Sequence, residues 1–223
     1  MPTEPTGRRP LKTREWPFFQ NLAAGLARAG ATPNGISAAS IVCGCCAGAA
    51  LAATAHGAGW VQRACWLAAA VSIQLRLIAN LLDGMVAVEG RKGGPTGDLW
   101  NEAPDRVSDA AIFIGAGYAA GSSPVLGYAA ALVAVFVAYI RALGASVGAG
   151  QCFLGPQAKP HRMALLTLVC VCSALFPTYS TAIGEQPLPV VVIALWIVIL
   201  GGLITAWRRL SFIAAFLRKK SHP

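Results

Sequence analysis

The sequence predicts an all-α integral membrane protein with six transmembrane helices preceded by an interfacial amphipathic helix, and three observations carry that prediction. First, 56% of the 223 residues are hydrophobic and 12% are charged, with a mean hydropathy of +0.58, far from the composition of a water-soluble domain. Second, six apolar stretches fall at 36–56, 64–88, 99–120, 124–147, 163–182 and 188–207, each close to the roughly 20 residues that cross a bilayer. Third, the basic residues alternate in placement. Arg8, Arg9, Lys12, Arg14 and Arg28 precede the first stretch. Arg91 and Lys92 lie between the second and third, Lys159 and Arg162 between the fourth and fifth, and Arg208, Arg209, Arg218, Lys219 and Lys220 follow the sixth. Arg63 alone lies in a connection on the other side. By the positive-inside rule both termini are cytoplasmic and the number of spans is even.

This pattern gives the net charge of +9 a topological meaning and a role against anionic lipid head groups, so no nucleic-acid partner is expected. The domain reading follows: 1–31 is a cytoplasmic tail with an interfacial helix, 32–210 a six-helix membrane domain, and 211–223 a basic cytoplasmic tail. No cleavable signal sequence is expected, because the basic N-terminus is not followed by a compact apolar region with a small-residue cleavage site. The cysteines lie mainly in or beside apolar stretches and read as small, soft packing residues.

Element by element, Trp16, Phe19, Leu22, Ala23 and Leu26 recur at helical spacing while Arg14, Gln20, Asn21 and Arg28 take other faces, which predicts a helix lying on the membrane surface. Thr32-Pro33-Asn34-Gly35-Ile36-Ser37 predicts the turn that starts the first span, with Thr32 or Ser37 as cap. Gly93, Gly94, Pro95 and Gly97 break the chain between the second and third spans, Gly121 to Pro124 forms a tight turn on the far side, and Gly155, Pro156 and Pro160 mark the next near-side loop.

Charges are costly at membrane depth, so those in or at the ends of the spans are the first candidates for chemistry. On span two, Arg76, Asn80 and Asp83 are spaced i, i+4, i+7 and share one stripe, which Ala87 continues. At the start of span three, Asp98, Asn101, Glu102, Asp105 and Asp109 form a second stripe. Clustered carboxylates raise one another's pKa unless a cation offsets them, and oxygen donors alone favour a hard ion, Mg²⁺, Mn²⁺ or Ca²⁺. Gly84 and Gly97 remove side chains where two helices would approach closely.

The segment Asn80-Leu-Leu-Asp83-Gly84-Met-Val-Ala87-Val88, eight residues, then Gly97-Asp-Leu-Trp-Asn101-Glu-Ala-Pro-Asp105 resembles the signature of the CDP-alcohol phosphatidyltransferases, D-x-x-D-G-x-x-A-R-x8-G-x-x-x-D-x-x-x-D. The entry Thr32-Pro33-Asn34 and the six spans with cytoplasmic termini resemble that family too. The resemblance implies transfer of a phosphatidyl-type group from a CDP-diacylglycerol-like donor to an alcohol, possible acceptors including phosphorylated ones, with release of CMP. It implies a bacterial inner-membrane enzyme with a cytoplasmic active site, a homodimer, and two divalent cations, Mg²⁺ or Mn²⁺. By position it makes Asp83 a metal ligand and Asp105 a ligand that also acts as catalytic base, with Asn80 and Asn101 at the other two ligand positions. Asn34, Arg76, Gly84, Ala87 and Gly97 would border the CDP donor, and Arg141, Lys159, His161 and Arg162 the acceptor.

Three signature positions differ: Asn80 and Asn101 replace aspartates and Val88 replaces arginine. An amide oxygen can coordinate but carries no charge, so Glu102 and Asp98, on the same stripe, are the expected compensating ligands. The differences leave open a catalytically altered or inactive member of the fold. A small transporter is a third reading, opposed by the gathering of the intramembrane charges near one face of the membrane.

Overall fold

In a computed structural model the described residues are 16–89, 97–176, 180–183 and 186–221. They form seven helices: α1 Pro17–Arg28, α2 Pro33–Ala53, α3 Gly59–Glu89, α4 Gly97–Gly117, α5 Pro124–Ser146, α6 Lys159–Leu175 and α7 Val190–Ser221. Two four-residue strands, β1 Ser180–Ile183 and β2 Gln186–Pro189, pair antiparallel between α6 and α7.

Helix α1 is the amphipathic surface helix of the sequence reading. Trp16 and Phe18 are exposed, whereas Ala23, Phe19, Leu26 and Ala27 pack against Leu82, Met85 and Val86 of α3. Pro33 occupies the first turn of α2 and Thr32 caps it, its Oγ1 accepting the Gly35 amide at 3.1 Å. Ser37, the other candidate cap, turns inward and donates to Pro33 O and to Asp83.

Four helices are long and apolar enough to cross a membrane: Pro33–Ala53, Gly59–Val88, Pro124–Ser146 and Val190–Lys220. The other two expected spans differ for identifiable reasons. Helix α4 has 21 residues, enough for about 32 Å at 1.5 Å per residue, but carries Glu102, Asp105, Arg106 and Asp109. Helix α6 has 17 residues and ends at Leu175, short of the 182 expected. Pro177 follows Phe176 in the sequence, and a residue before proline is driven out of helical geometry; Phe176 adopts φ −125°, ψ 75°. Helix α7 runs through the basic segment expected to be a tail.

Large apolar side chains lie both inside and outside. Leu51, Ile73, Ile112, Phe113, Leu166, Leu195 and Val198 form the centre of the core, while Val42, Leu67, Val71, Leu132, Leu200 and Trp207 stand on the exterior. An apolar exterior this extensive suits a lipid environment. Helices α2 and α4 approach through small residues: a Cβ on Gly44 would lie 2.6 Å from Ser108 Cβ, and Gly115 abuts the Gly48 backbone. Ser108 Oγ donates to Ser40 O at 3.2 Å across the same seam. This places the polar half of α4 in the middle of the bundle, beside α3 and α6.

Candidate active site

The polar stripes of α3 and α4 meet through Arg76. Its side chain is fully buried, and its Nη2 donates to Asp105 Oδ1 at 3.0 Å and to Asp109 Oδ1 at 2.6 Å. From the start of α6, Lys159 pairs with the same Asp105 oxygen, and Arg162 Nη2 donates to Asp109 Oδ2 at 3.1 Å. The Arg162 guanidinium also lies over the Phe113 ring, 6.0 Å from its centroid. Both oxygens of Asp109 are thus spent on arginines from two different helices. Buried charges are costly unless paired, and a carboxylate with both oxygens ion-paired is the arrangement that lowers that cost.

Asp83 stands apart from this lattice. It is buried, its Oδ2 accepts Ser37 Oγ at 2.7 Å, and its Oδ1 takes no well-formed hydrogen bond among the described residues. Asn80 is half-buried one turn earlier on α3. Among the described residues Arg76, Lys159 and Arg162 make their ion pairs with Asp105 and Asp109, and Asp83 has Ser37 as its side-chain partner.

A second ionic group sits one turn along α4. Glu102 accepts from Arg106 through Oε2 and from Arg141 of α5 through Oε1. Arg141 in turn lies over Phe153, 5.8 Å from the ring centroid. Glu102, expected as a compensating metal ligand, has both oxygens on guanidinium groups. Arg76, expected at the donor, gives its Nη2 to the α4 carboxylates, while its Nε and Nη1 have no hydrogen-bond partner among the described residues. Lys159 and Arg162, expected at the acceptor, reach the same carboxylates. His161 is exposed, with Nδ1 2.8 Å from Pro156 O. Asn34 is exposed in the first turn of α2, and Gly84 and Ala87 are half-buried on α3. The side chains of Asp98 and Asn101, and the surroundings of Gly97, lie outside the described residues.

Three residues have partners in the structure that their sequence positions did not indicate. Ser37 is by sequence one of two candidate caps, and only its contact with Asp83 reveals its place in the site. Asp109 falls on the α4 stripe but four residues beyond the last signature position, so the periodicity was the available signal. Arg209, expected only as one of the basic residues that follow the sixth stretch, is buried and donates to Leu154 O at 3.0 Å and Val137 O at 2.9 Å, which ties α7 to α5 and its following loop.

The donors suit a hard divalent cation of one kind. Mg²⁺ typically keeps several waters and binds one or two carboxylates together with substrate phosphates. Asp83 offers a buried oxygen without a side-chain partner among the described residues, Asn80 an amide oxygen nearby, and Asp105 its carboxylate. Among the described residues no three acidic, histidine or cysteine side chains form a ready cage.

No family model matches the chain, and no curated protein sequence matches it. Solved structures do. Phosphatidylinositol phosphate synthase (PgsA1) of Mycobacterium tuberculosis, with CDP-DAG bound, superposes with a TM-score of 0.69 at 21% identity, over 87% of this chain and 92% of that one. Its complex with manganese and citrate gives 0.69 at 22% identity, covering 87% and 88%. Its apo form gives 0.66 at 22%, covering 86% and 94%. The chain shares its fold with this synthase. The synthase is a CDP-alcohol phosphatidyltransferase, so the chain has the fold of a member of the family whose signature it resembles. At this identity the likeness to the synthase is one of fold, and the chemistry has to be argued from the chain's own residues.

Proposed function

We propose that the protein transfers a phosphatidyl-type group from a CDP-diacylglycerol-like lipid to an alcohol and releases CMP. The observation that carries this reading is the union of the two signature halves. Arg76 and Lys159 hold Asp105 through Oδ1, and Asp83, buried at the same polar centre, takes Ser37 on Oδ2 and has no side-chain partner on Oδ1 among the described residues. The binding of CDP-DAG and of manganese by structures of the same fold supports the choice of donor and ion.

In this reading Asp83, Asn80 and Asp105 hold the divalent cation, Mg²⁺ or Mn²⁺, with Asn101 and Asp98 as further candidates. The cation would offset the charge of the diphosphate and of the departing CMP. The Asp105 carboxylate takes the proton of the acceptor hydroxyl as the acceptor's oxygen bonds to the phosphatidyl phosphorus and the P–O bond to the cytidylate breaks. Lys159 and Arg76 fix the orientation of Asp105, and Ser37 fixes that of Asp83. Asn34, Gly84, Ala87 and Gly97 would border the donor, with Arg141, Lys159, His161 and Arg162 on the acceptor side. The same reading makes the chain a six-span homodimeric protein of a bacterial inner membrane, with termini and site facing the cytoplasm.

One feature favours a second reading, an altered or inactive member of the fold: Asn80 and Asn101 remove two charges, and Asp105 and Asp109 are already paired with cations. The two readings separate in one measurement. Purified protein in detergent is given CDP-diacylglycerol, Mg²⁺ or Mn²⁺ and a panel of soluble and lipid alcohols, and CMP is quantified. Metal-dependent CMP formation with one acceptor class supports transfer; no CMP with any acceptor supports the inactive reading.

A further inference from the structure

Beside the carboxylate lattice, a cleft of about 420 Å³ opens between α4 and α5, within the roughly 300–1,000 Å³ usual for small-molecule sites. Its walls combine a charged group with an apolar helix face. Arg106, Arg141 and Glu102 meet partway along it; Ala138 and Val135 of α5 lie on one side of Arg141, and Ala142 and Ala145 on the other, beyond which is Gln151. The four apolar residues are spaced so that they share one helical face, and Val135 lies six residues from Arg141, a rise of about 9 Å toward the middle of α5. From the charged group, one arm of the cleft therefore follows Ala138, Tyr139 and Val135 along α5.

The charged end has a further property. Two guanidinium groups, from α4 and α5, close on the two oxygens of a single carboxylate. Their charges exceed that of Glu102 by one, and the Glu102 side chain is 42% exposed, so its hold is that of a partly solvated pair and is readily exchanged. A phosphate has the oxygen geometry that arginine forks grip best.

We infer that Glu102 occupies an oxyanion seat in place of a ligand's phosphate, and that the cleft takes an anionic amphiphile whose phosphate rests on Arg106 and Arg141 and whose apolar body follows α5. This rests on the phosphatidyl-transfer reading for one consequence: Glu102 lies one turn before Asp105, so an alcohol on such an anchored headgroup is within reach of the base, and the acceptor is a membrane lipid alcohol instead of a soluble polyol phosphate.

The test uses the full chain in detergent and has a binding arm and a turnover arm. In the first, equilibrium binding of phosphatidylglycerol is compared with that of zwitterionic phosphatidylcholine. The expected result is preference for phosphatidylglycerol, a several-fold tightening in Glu102→Gln as the internal competitor loses its charge, and a loss of about tenfold or more in Arg141→Ala. Arg141→Lys, which keeps the charge, is expected to fall between the two and guards against a folding defect in the alanine variant. Equal binding of the two lipids, or weaker binding in Glu102→Gln, overturns the seat. In the second arm, CMP release with phosphatidylglycerol is compared with release using glycerol 3-phosphate and inositol 1-phosphate. Turnover restricted to the soluble phosphates overturns the acceptor class. If the wild-type protein releases no CMP with any alcohol, the transfer reading falls, and the binding arm alone decides the seat.

Discussion

Arg76 illustrates how one residue can join two sequence motifs. Its single Nη2 serves both Asp105 and Asp109, and removing one partner of a buried ionic group costs about 3–5 kcal/mol because the other charges stay buried and unpaired. Arg76→Ala is therefore expected to lower the thermal unfolding midpoint in detergent markedly, whereas Arg141→Ala, at a partly exposed pair, should cost no more than about 1 kcal/mol; equal losses would contradict the burial argument. Asp105→Asn should reduce CMP release by about 10²–10⁴-fold, the usual contribution of a general base, with the bundle still folded because Asp109 continues to hold Arg76. Activity within a few-fold of the parent would remove Asp105 from the role of base. Asp83→Asn should raise the Mg²⁺ concentration needed for half-maximal CMP release, and Glu102→Gln should not, since both Glu102 oxygens rest on arginines. A matched rise in Glu102→Gln would restore it to the ligand set.

Among the elements, the seam between α2 and α4 decides where the polar half of α4 sits. Gly44 and Gly48 let the α4 backbone approach, and a methyl group at Gly44 would meet Ser108 at both Cα and Cβ, backbone that cannot swing aside. Gly44→Ala should cost about 1–3 kcal/mol from overpacking and displace Asp105 and Asp109 from their cations. Gly25, in α1, has nothing within 4 Å of where its Cβ would be, and Gly25→Ala should instead be neutral or gain up to about 1 kcal/mol from helix propensity. Unfolding midpoints of the two variants provide the comparison, and similar behaviour would show that the seam tolerates separation.

For the molecule as a whole, the basic connections predict an even number of crossings, and among the described residues four helices are long and apolar enough to cross a membrane by length and hydropathy. Helix α6 falls short by length, with 17 residues, and α4 by its charged residues, of which Asp105 and Asp109 are paired inside the bundle, the setting in which charges are tolerated at membrane depth. Reporter fusions after Arg28, after Pro156 and after Lys220 are expected on the cytoplasmic side, and fusions at Gly57 or Ser122 on the far side. A far-side signal after Pro156 would mean that α4 or α5 does not cross. The periodicity of single residues and the alternation of basic connections are local or one-dimensional properties, which is why the surface helix, the helix starts at Pro33 and Pro124 and the two polar stripes could all be read from the sequence. Partner choice is different in kind. Whether a carboxylate meets a metal, a serine or an arginine depends on which helix face is turned toward which, and that is fixed by the close α2–α4 contact and by the long-range placement of α6. The stripe on α4 could be foreseen, but its division could not: Glu102 is given to α5, Asp105 is shared by α3 and α6, and Asp109 is closed between two arginines. The end of α6 at Leu175 and the continuation of α7 through the basic segment were likewise decided by local backbone geometry before proline and by the packing of Arg209 against α5, since hydropathy alone measures how apolar a segment is and says nothing of the neighbours that satisfy its charges.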